Sequence, residues 1–205
     1  MLKKKAEKIM DKLEEMYPDA VCSLTYTKPY ELLIATRLSA QCTDARVNIV
    51  TKELFSKYPT LDALNEAPLE DIENCVRTCG LFKTKSRDIK LIAKALLEEY
   101  GGVVPDTIEQ LVKLSGVGRK TANLIVGDIY GKDSVVCDTH CIRITNRMGL
   151  IKTTDPLKAE RGLREVLDLK RSGDFCHRLV LFGREICTAR NPKCEICPFD
   201  CKIKK

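Results

Sequence analysis

The chain has 205 residues, with 35 lysines and arginines against 29 aspartates and glutamates, and a formal net charge of +6. No apolar run approaches the roughly 20 residues that a membrane-spanning helix needs, and charges at Asp11, Lys12, Glu14 and Glu15 fall where a secretion signal would be apolar. These features point away from membranes and to the cytoplasm, or the nucleus in a eukaryote. The modest positive excess permits nucleic-acid binding without demanding it.

In chain order, apolar residues recur at helical spacing: Leu2, Ile9, Leu13 and Met16; Leu32, Leu33 and Leu38; Ile89, Ile92, Leu96 and Leu97. The pattern predicts a nearly all-helical protein. Pro105-Asp106-Thr107-Ile108-Glu109 predicts a helix start with Asp106 as N-cap and Glu109 three residues on, and Asp155-Pro156 predicts another with proline at its first position. No repeat, low-complexity tract or long polar linker interrupts the chain. The expected seam lies near Gly131-Lys132-Asp133.

Leu114-Ser115-Gly116-Val117-Gly118-Arg119-Lys120-Thr121-Ala122-Asn123 reads as a helix, a glycine hairpin and a second helix beginning near Val117. Two glycines let the backbone turn tightly, and the amides at the positive end of the helix dipole suit a phosphate. The bland alternative is an ordinary short turn. Shortly downstream, Val136-Cys137-Asp138-Thr139-His140 places a carboxylate at an apparent helix start, where an N-cap is worth about 1 kcal/mol. Capping and catalysis are compatible there. A lysine amine and a nearby carboxylate can serve as nucleophile and electrostatic partner, which suggests covalent chemistry on a nucleic acid. Read alone, Lys120 also fits a surface lysine that binds phosphate.

Eleven cysteines, an odd number without a secretion signal, argue for metal ligands and buried thiols in a reducing compartment. Cys187, Cys194, Cys197 and Cys201 form C-x6-C-x2-C-x3-C, four thiols within 15 residues. That density predicts a metal centre, with zinc or an iron–sulfur cluster as its occupant. The other seven, Cys22, Cys42, Cys75, Cys79, Cys137, Cys141 and Cys176, are expected to be small buried side chains.

Leu38-Ser39-Ala40-Gln41-Cys42-Thr43-Asp44, the hairpin with Lys120, Cys137-Asp138-Thr139-His140 and the C-terminal cysteines together resemble the endonuclease III family, over nearly the whole chain. These are helix-hairpin-helix DNA glycosylases with lyase activity that excise oxidised pyrimidines in base excision repair. The resemblance implies an all-α, two-lobed fold: residues 22–132 as a continuous helical lobe with the hairpin, and residues 1–21 with 133–205 as the cluster lobe, the active site lying between them. It implies Lys120 as the nucleophile that attacks C1′, displaces the base and forms a Schiff base, and Asp138 as the catalytic carboxylate. An ammonium cannot attack, so the amine must first shed its proton.

The resemblance further implies that Gln41 and Leu81 fill the gap left by the extruded nucleotide, although composition alone would make Gln41 a helix-end polar residue and Leu81 a core residue. Gly116, Val117, Gly118 and Arg119 would meet the DNA backbone. His140, Arg190 and Lys193 are further candidate contacts, His140 fitting a structural role first. With 5% aromatics and no tryptophan, a stacking platform is not expected. A [4Fe-4S] cluster would sit on Cys187, Cys194, Cys197 and Cys201, with a last gap of three residues where the family usually has five. Ser115 stands where the family often has proline, implying a less rigid hairpin.

The implied partner is duplex DNA carrying damaged bases or abasic sites, bound by a monomer associated with the nucleoid. Two alternatives remain. A monofunctional adenine- or thymine-mismatch glycosylase would leave Lys120 unexplained, and a non-catalytic helix-hairpin-helix module would give Lys120, Asp138 and the cysteines no joint purpose.

Overall fold

The computed structural model describes residues 1–201; the last four positions expected in the second lobe, 202–205, lie outside the described residues. Among the described residues the secondary structure is entirely helical. None of these helices is long and apolar enough to cross a membrane. The chain forms two compact units: Ser23–Tyr130, and Met1–Cys22 together with the chain from Gly131 onward.

The first unit carries α2 (Pro29–Leu38), α3 (Asp44–Lys57), α4 (Leu61–Glu66), α5 (Leu69–Val76), α6 (Phe82–Tyr100), α7 (Ile108–Leu111) and α8 (Arg119–Tyr130). Helix α2 is its buried centre, packed against α3, α6 and α8, with Leu32, Leu33, Ile34, Ala35 and Leu38 fully enclosed. Proline at its first position presets the backbone, and Glu31 reaches back to accept from the Thr27 and Lys28 amides at 2.7 and 3.2 Å. The long helix α6 is amphipathic, burying Ile89, Ile92, Ala93 and Leu96 on one face.

Helix α7 departs from expectation. Its cap is Thr107, one residue after Asp106: the Gln110 amide donates to Thr107 Oγ1 at 3.3 Å, and that hydroxyl donates to Gln110 Oε1 at 2.8 Å. Neighbouring Asp and Thr can both cap, and the reciprocal bond to Gln110 favours the threonine. Helix α8 begins at Arg119, two residues later than expected, because Val117 still belongs to the turn and its N–H donates to Leu114 O at 3.1 Å.

The hairpin before α8 is held from below by an ionic clamp. Arg37 of α2 donates to Asp88 Oδ2 of α6 from Nε at 2.7 Å and from Nη2 at 2.5 Å, and Ser115 Oγ donates to Asp88 Oδ1 at 2.6 Å. Ser115 therefore does not leave the hairpin slack as expected; its hydroxyl fastens it. Gly116 rests directly on this clamp with φ +69°, and a Cβ there would lie 2.2 Å from Arg37 Nε and 2.8 Å from Asp88 Oδ2. Only glycine satisfies both the left-handed backbone and the close approach.

The second unit contains α1 (Leu2–Met16), α9 (Thr139–Arg147), α10 (Pro156–Val166), a 3₁₀ turn (Leu169–Arg171) and α11 (Ser172–Glu185). Asp155 caps α10 as expected, accepting from the Lys158 amide at 2.8 Å. Helix α11 packs on α1 and α9 through Phe175, Leu179 and Phe182, all fully buried. Arg171 ties the turn to α1 through Asp11 and Glu14 at 2.8 and 2.5 Å.

Gly116→Ala should destabilise the protein by about 2–5 kcal/mol, the sum of a left-handed Cβ penalty and a core clash. Denaturant unfolding measures this, and a change within experimental error would mean that the clamp yields freely.

Candidate DNA glycosylase site

Lys120 is the second residue of α8 and its side chain is exposed. It emerges four residues after Gly116, so the clamped hairpin fixes where its backbone starts. Gly118 and Arg119 beside it are exposed as well, whereas Val117 is buried and its amide is engaged within the turn. Of the hairpin residues singled out from sequence, Gly116, Gly118 and Arg119 therefore face outward, and Val117 packs inward.

Asp138 is the N-cap of α9, as its place in the sequence predicts. Its Oδ1 accepts from the Cys141 amide at 2.7 Å, which orients the half-exposed carboxylate. Lys120 belongs to the Ser23–Tyr130 unit and Asp138 to the other.

His140 turns inward on the same helix. Arg143 Nη2 lies 3.2 Å from its Nδ1, and a Cβ on Gly183 would come within 2.4 Å of that nitrogen. Glycine at position 183 thus lets α11 approach α9. Burial pushes the His140 pKa down, against the opposing pull of the Asp138 carboxylate. A neutral ring wedged between two helices fits the structural role first expected of it.

Gln41 and Leu81 are the only described non-glycine residues with left-handed backbone, at φ 56° and 59°. Both are exposed; Leu81 keeps 62% of its surface, so it is not the core residue its composition suggests. Leu81 caps α6 and Gln41 follows the end of α2. Strained backbone with outward side chains is the kind of local cost associated with functional sites.

Lys85, which the sequence reading missed, joins these two loops. It is fully buried, and its Nζ donates to Leu38 O at 2.9 Å and Ala40 O at 2.7 Å, while its backbone amide donates to Leu81 O at 3.1 Å. Burial pushes its pKa down. The ammonium meets the negative end of the α2 dipole, which offsets part of its desolvation. The available signal was a lysine on the stripe of Ile89, Ile92 and Leu96, where an apolar residue belongs.

At the C-terminus none of the eleven cysteines is in a disulfide. Cys187 is buried; Cys194, Cys197 and Cys201 are half-buried. Arg147 donates from Nη1 to Cys187 Sγ at 3.2 Å and to Thr188 O at 2.7 Å, and from Nη2 to Ala189 O at 3.0 Å. Arg143 donates to Cys187 O at 2.9 Å. Phe199, between the last two cysteines, packs edge-on against Phe182 with ring centroids 5.3 Å apart. The loop is thus anchored at both ends, with Arg190 and Lys193 exposed on it.

Four thiols with a guanidinium at the first sulfur suit a thiolate-bound centre. Among the described residues no three His, Cys, Asp or Glu side chains converge as a single ion would require. A cubane takes its cysteines on different irons, so its ligands need not meet at one point. Arg143 and Arg147 were also missed. Their signal was two arginines four apart on the helix that Asp138 opens.

Cys22 and Cys42, both in loops, are half-buried rather than buried as expected. The other five expected to be buried, Cys75, Cys79, Cys137, Cys141 and Cys176, are buried.

Residues 34–168 match the family model of the HhH-GPD superfamily of base excision DNA repair proteins, and residues 187–199 match the iron-sulfur binding domain of endonuclease III. The second match includes Cys187, Cys194 and Cys197 and stops before Cys201. Endonuclease III of Bacillus subtilis is 41% identical over 196 residues, covering 95% of this chain and 90% of the relative. The Haemophilus influenzae protein is 37% identical over 207 residues, covering 100% and 98%. Among solved structures, a trapped endonuclease III–DNA covalent intermediate aligns with a TM-score of 0.91 at 41% identity, covering 96% of this chain and 93% of that one. A thermostable thymine-DNA glycosylase aligns at 0.84 with 23% identity, covering 95% and 93%, a likeness of fold alone. The chain belongs to the endonuclease III family, DNA glycosylases with an abasic-site lyase activity and a [4Fe-4S] cluster.

Proposed function

We propose that this glycosylase and lyase excises oxidised pyrimidines from duplex DNA, with Lys120 as nucleophile and Asp138 as catalytic carboxylate. The observation that carries the reading is the exposed Lys120 amine at the start of α8, directly beyond a hairpin locked by the Arg37–Asp88–Ser115 clamp. Exposure in the free protein leaves desolvation of the amine to the bound DNA. Neutral Lys120 Nζ attacks C1′ of the damaged nucleoside, the C1′–N bond breaks, and the base departs with the electron pair. Opening of the sugar gives a Schiff base, from which proton loss at C2′ and departure of the 3′ phosphate cut the strand. Asp138, oriented by the Cys141 amide, steadies positive charge on the sugar and assists proton movement.

Gly116, Gly118 and Arg119 approach the phosphates, with Val117 setting the turn from within. Gln41 hydrogen-bonds to the orphaned base and Leu81 wedges into the stack; their exposure and fixed backbone support this. Arg190 and Lys193 meet the DNA backbone, and His140 acts there through the packing of α9. Cys187, Cys194, Cys197 and Cys201 would hold the cluster, whose contribution when bound is to fold the loop bearing those charges. In this reading the protein works as a monomer on duplex DNA with damaged bases or abasic sites. It resides in the cytoplasm at the nucleoid, or in a eukaryotic nucleus. The units meeting the DNA are residues 22–132, and residues 1–21 with 133–205.

Lys120→Gln should reduce borohydride-trapped crosslinks on a thymine glycol or abasic duplex to background while retaining DNA affinity; robust trapping removes Lys120 from this role. Asp138→Asn should slow single-turnover base release by about 100-fold or more, with an unchanged rate refuting its assignment. Activity on an adenine-mismatch duplex but not on thymine glycol or dihydrouracil would overturn the substrate class. Arg147→Met, lacking its three contacts to the cysteine loop, should cost about 2 kcal/mol and hasten loss of iron to a chelator. An unaltered release rate would show that the arginine does not secure the loop.

A further inference from the structure

Two thiols from different loops meet beside the left-handed residues. Cys42 Sγ donates to Cys79 Sγ at 3.7 Å, between residues 37 apart in the chain. Cys42 follows Gln41 directly, and Cys79 precedes Leu81 by two positions. Cys79 is fully buried, whereas Cys42 is half-buried, so a small reagent reaches Cys42 first. A second group of thiols differs in this respect. Cys141 bonds to Cys137 and Cys176, and all three are buried.

We propose that Cys42 and Cys79 form a reversible redox site, a dithiol that a low-molecular-weight disulfide such as oxidised glutathione converts into an intramolecular disulfide joining the Gln41 loop to the Leu81 loop. In the first step the Cys42 thiolate attacks one sulfur of the reagent. The reagent's S–S bond breaks, a bond to Cys42 forms, and one reagent thiolate leaves with the electron pair. Cys79 then releases its proton and attacks the Cys42 sulfur, expelling the second reagent thiolate. Two protein thiols are oxidised, one reagent disulfide is reduced to two thiols, and the two protons end on those thiols.

The site's chemistry sets this order. Burial, followed by the hydrogen bond shared with Cys42, pushes the Cys79 pKa up to about 11, while the nearby Lys85 ammonium pulls the other way. Capping Cys42 with the reagent removes the second of those causes and leaves the lysine in place. Bonded sulfurs lie about 2 Å apart, so ring closure shortens the present contact by a little under half. Lys85 already holds the Leu38 and Ala40 carbonyls, and its amide binds Leu81 O, so the two loops are adjacent before any bond forms.

The functional effect rests on the reading of Gln41 and Leu81 as gap-filling tips. A disulfide fixes their spacing and opposes the adjustment needed to enter a stacked duplex. Strand cutting at an abasic site in single-stranded DNA needs no gap filled and depends on Lys120 and Asp138, neither of which lies in the two joined loops.

The test incubates the cluster-loaded protein with oxidised glutathione, beside a Cys42→Ser variant in the same form. Peptide mapping without reduction should find one crosslinked peptide pair joining Cys42 to Cys79, absent from the variant and reversed by dithiothreitol. Base excision from duplex thymine glycol should fall by about tenfold, an effect in scale with misplacement of a contact group, while single-strand abasic cutting stays unchanged. Recovery of only unmodified Cys42, or of only its mixed disulfide with glutathione, overturns the redox site. A crosslinked protein that excises duplex lesions at the reduced protein's rate overturns its effect on activity. Leu81→Ala and Gln41→Ala, assayed in parallel, separate the two readings: full duplex activity in both refutes the gap-filling role and leaves the crosslink to be judged by peptide mapping.

Discussion

A single buried carboxylate organises the part of the protein that matters most. Asp88 receives Arg37 from α2 and Ser115 from the hairpin, and the hairpin's glycine lies flat on the pair. Arg37 and Asp88 side chains are only 13% and 11% exposed. Removing one partner from such a pair typically costs about 3–5 kcal/mol, because the other charge is left without compensation. The clamp therefore converts the burial of α2 and α6 into a fixed origin for α8, and with it a fixed base for Lys120. Glycine at 116 is a consequence of the clamp as much as of the turn.

The second theme is conformational cost held in place by buried polar groups. Left-handed backbone at Gln41 and Leu81 costs on the order of 1–3 kcal/mol at each, and Lys85 binds carbonyls on both sides of that strain. Arg143 and Arg147 do similar work for the cysteine loop, by fastening carbonyls that no helix satisfies. In each case a cation terminates an irregular segment against a rigid helix. The residues proposed to meet DNA can then project outward from backbone held by the protein's own contacts.

Local chemistry was legible in the sequence. Asp138 and Asp155 announce themselves as caps, the paired glycines mark the hairpin, and the cysteine run marks its loop, because each signal is complete within a few residues. The misses share a cause as well. Asp88 meets Ser115 from 27 residues away and Lys85 meets Leu38 from 47, separations at which no periodicity carries information. Thr107 displaced Asp106 as a cap through a reciprocal bond to Gln110 that adjacent candidates made ambiguous. Leu81 looked like core by composition, yet a left-handed residue at the head of α6 turns its side chain to solvent. Ser115, read as a loosening substitution, became a fastener once its partner across the unit was visible.

The chemistry turns on which amine joins the sugar. Borohydride reduction of the wild-type protein on an abasic duplex, followed by nuclease and protease digestion and fragment mass spectrometry, locates the deoxyribose remnant directly. The remnant should lie on the peptide containing Lys120, at Nζ. Its recovery on the Met1 amino group or on any other lysine would contradict the proposed chemistry.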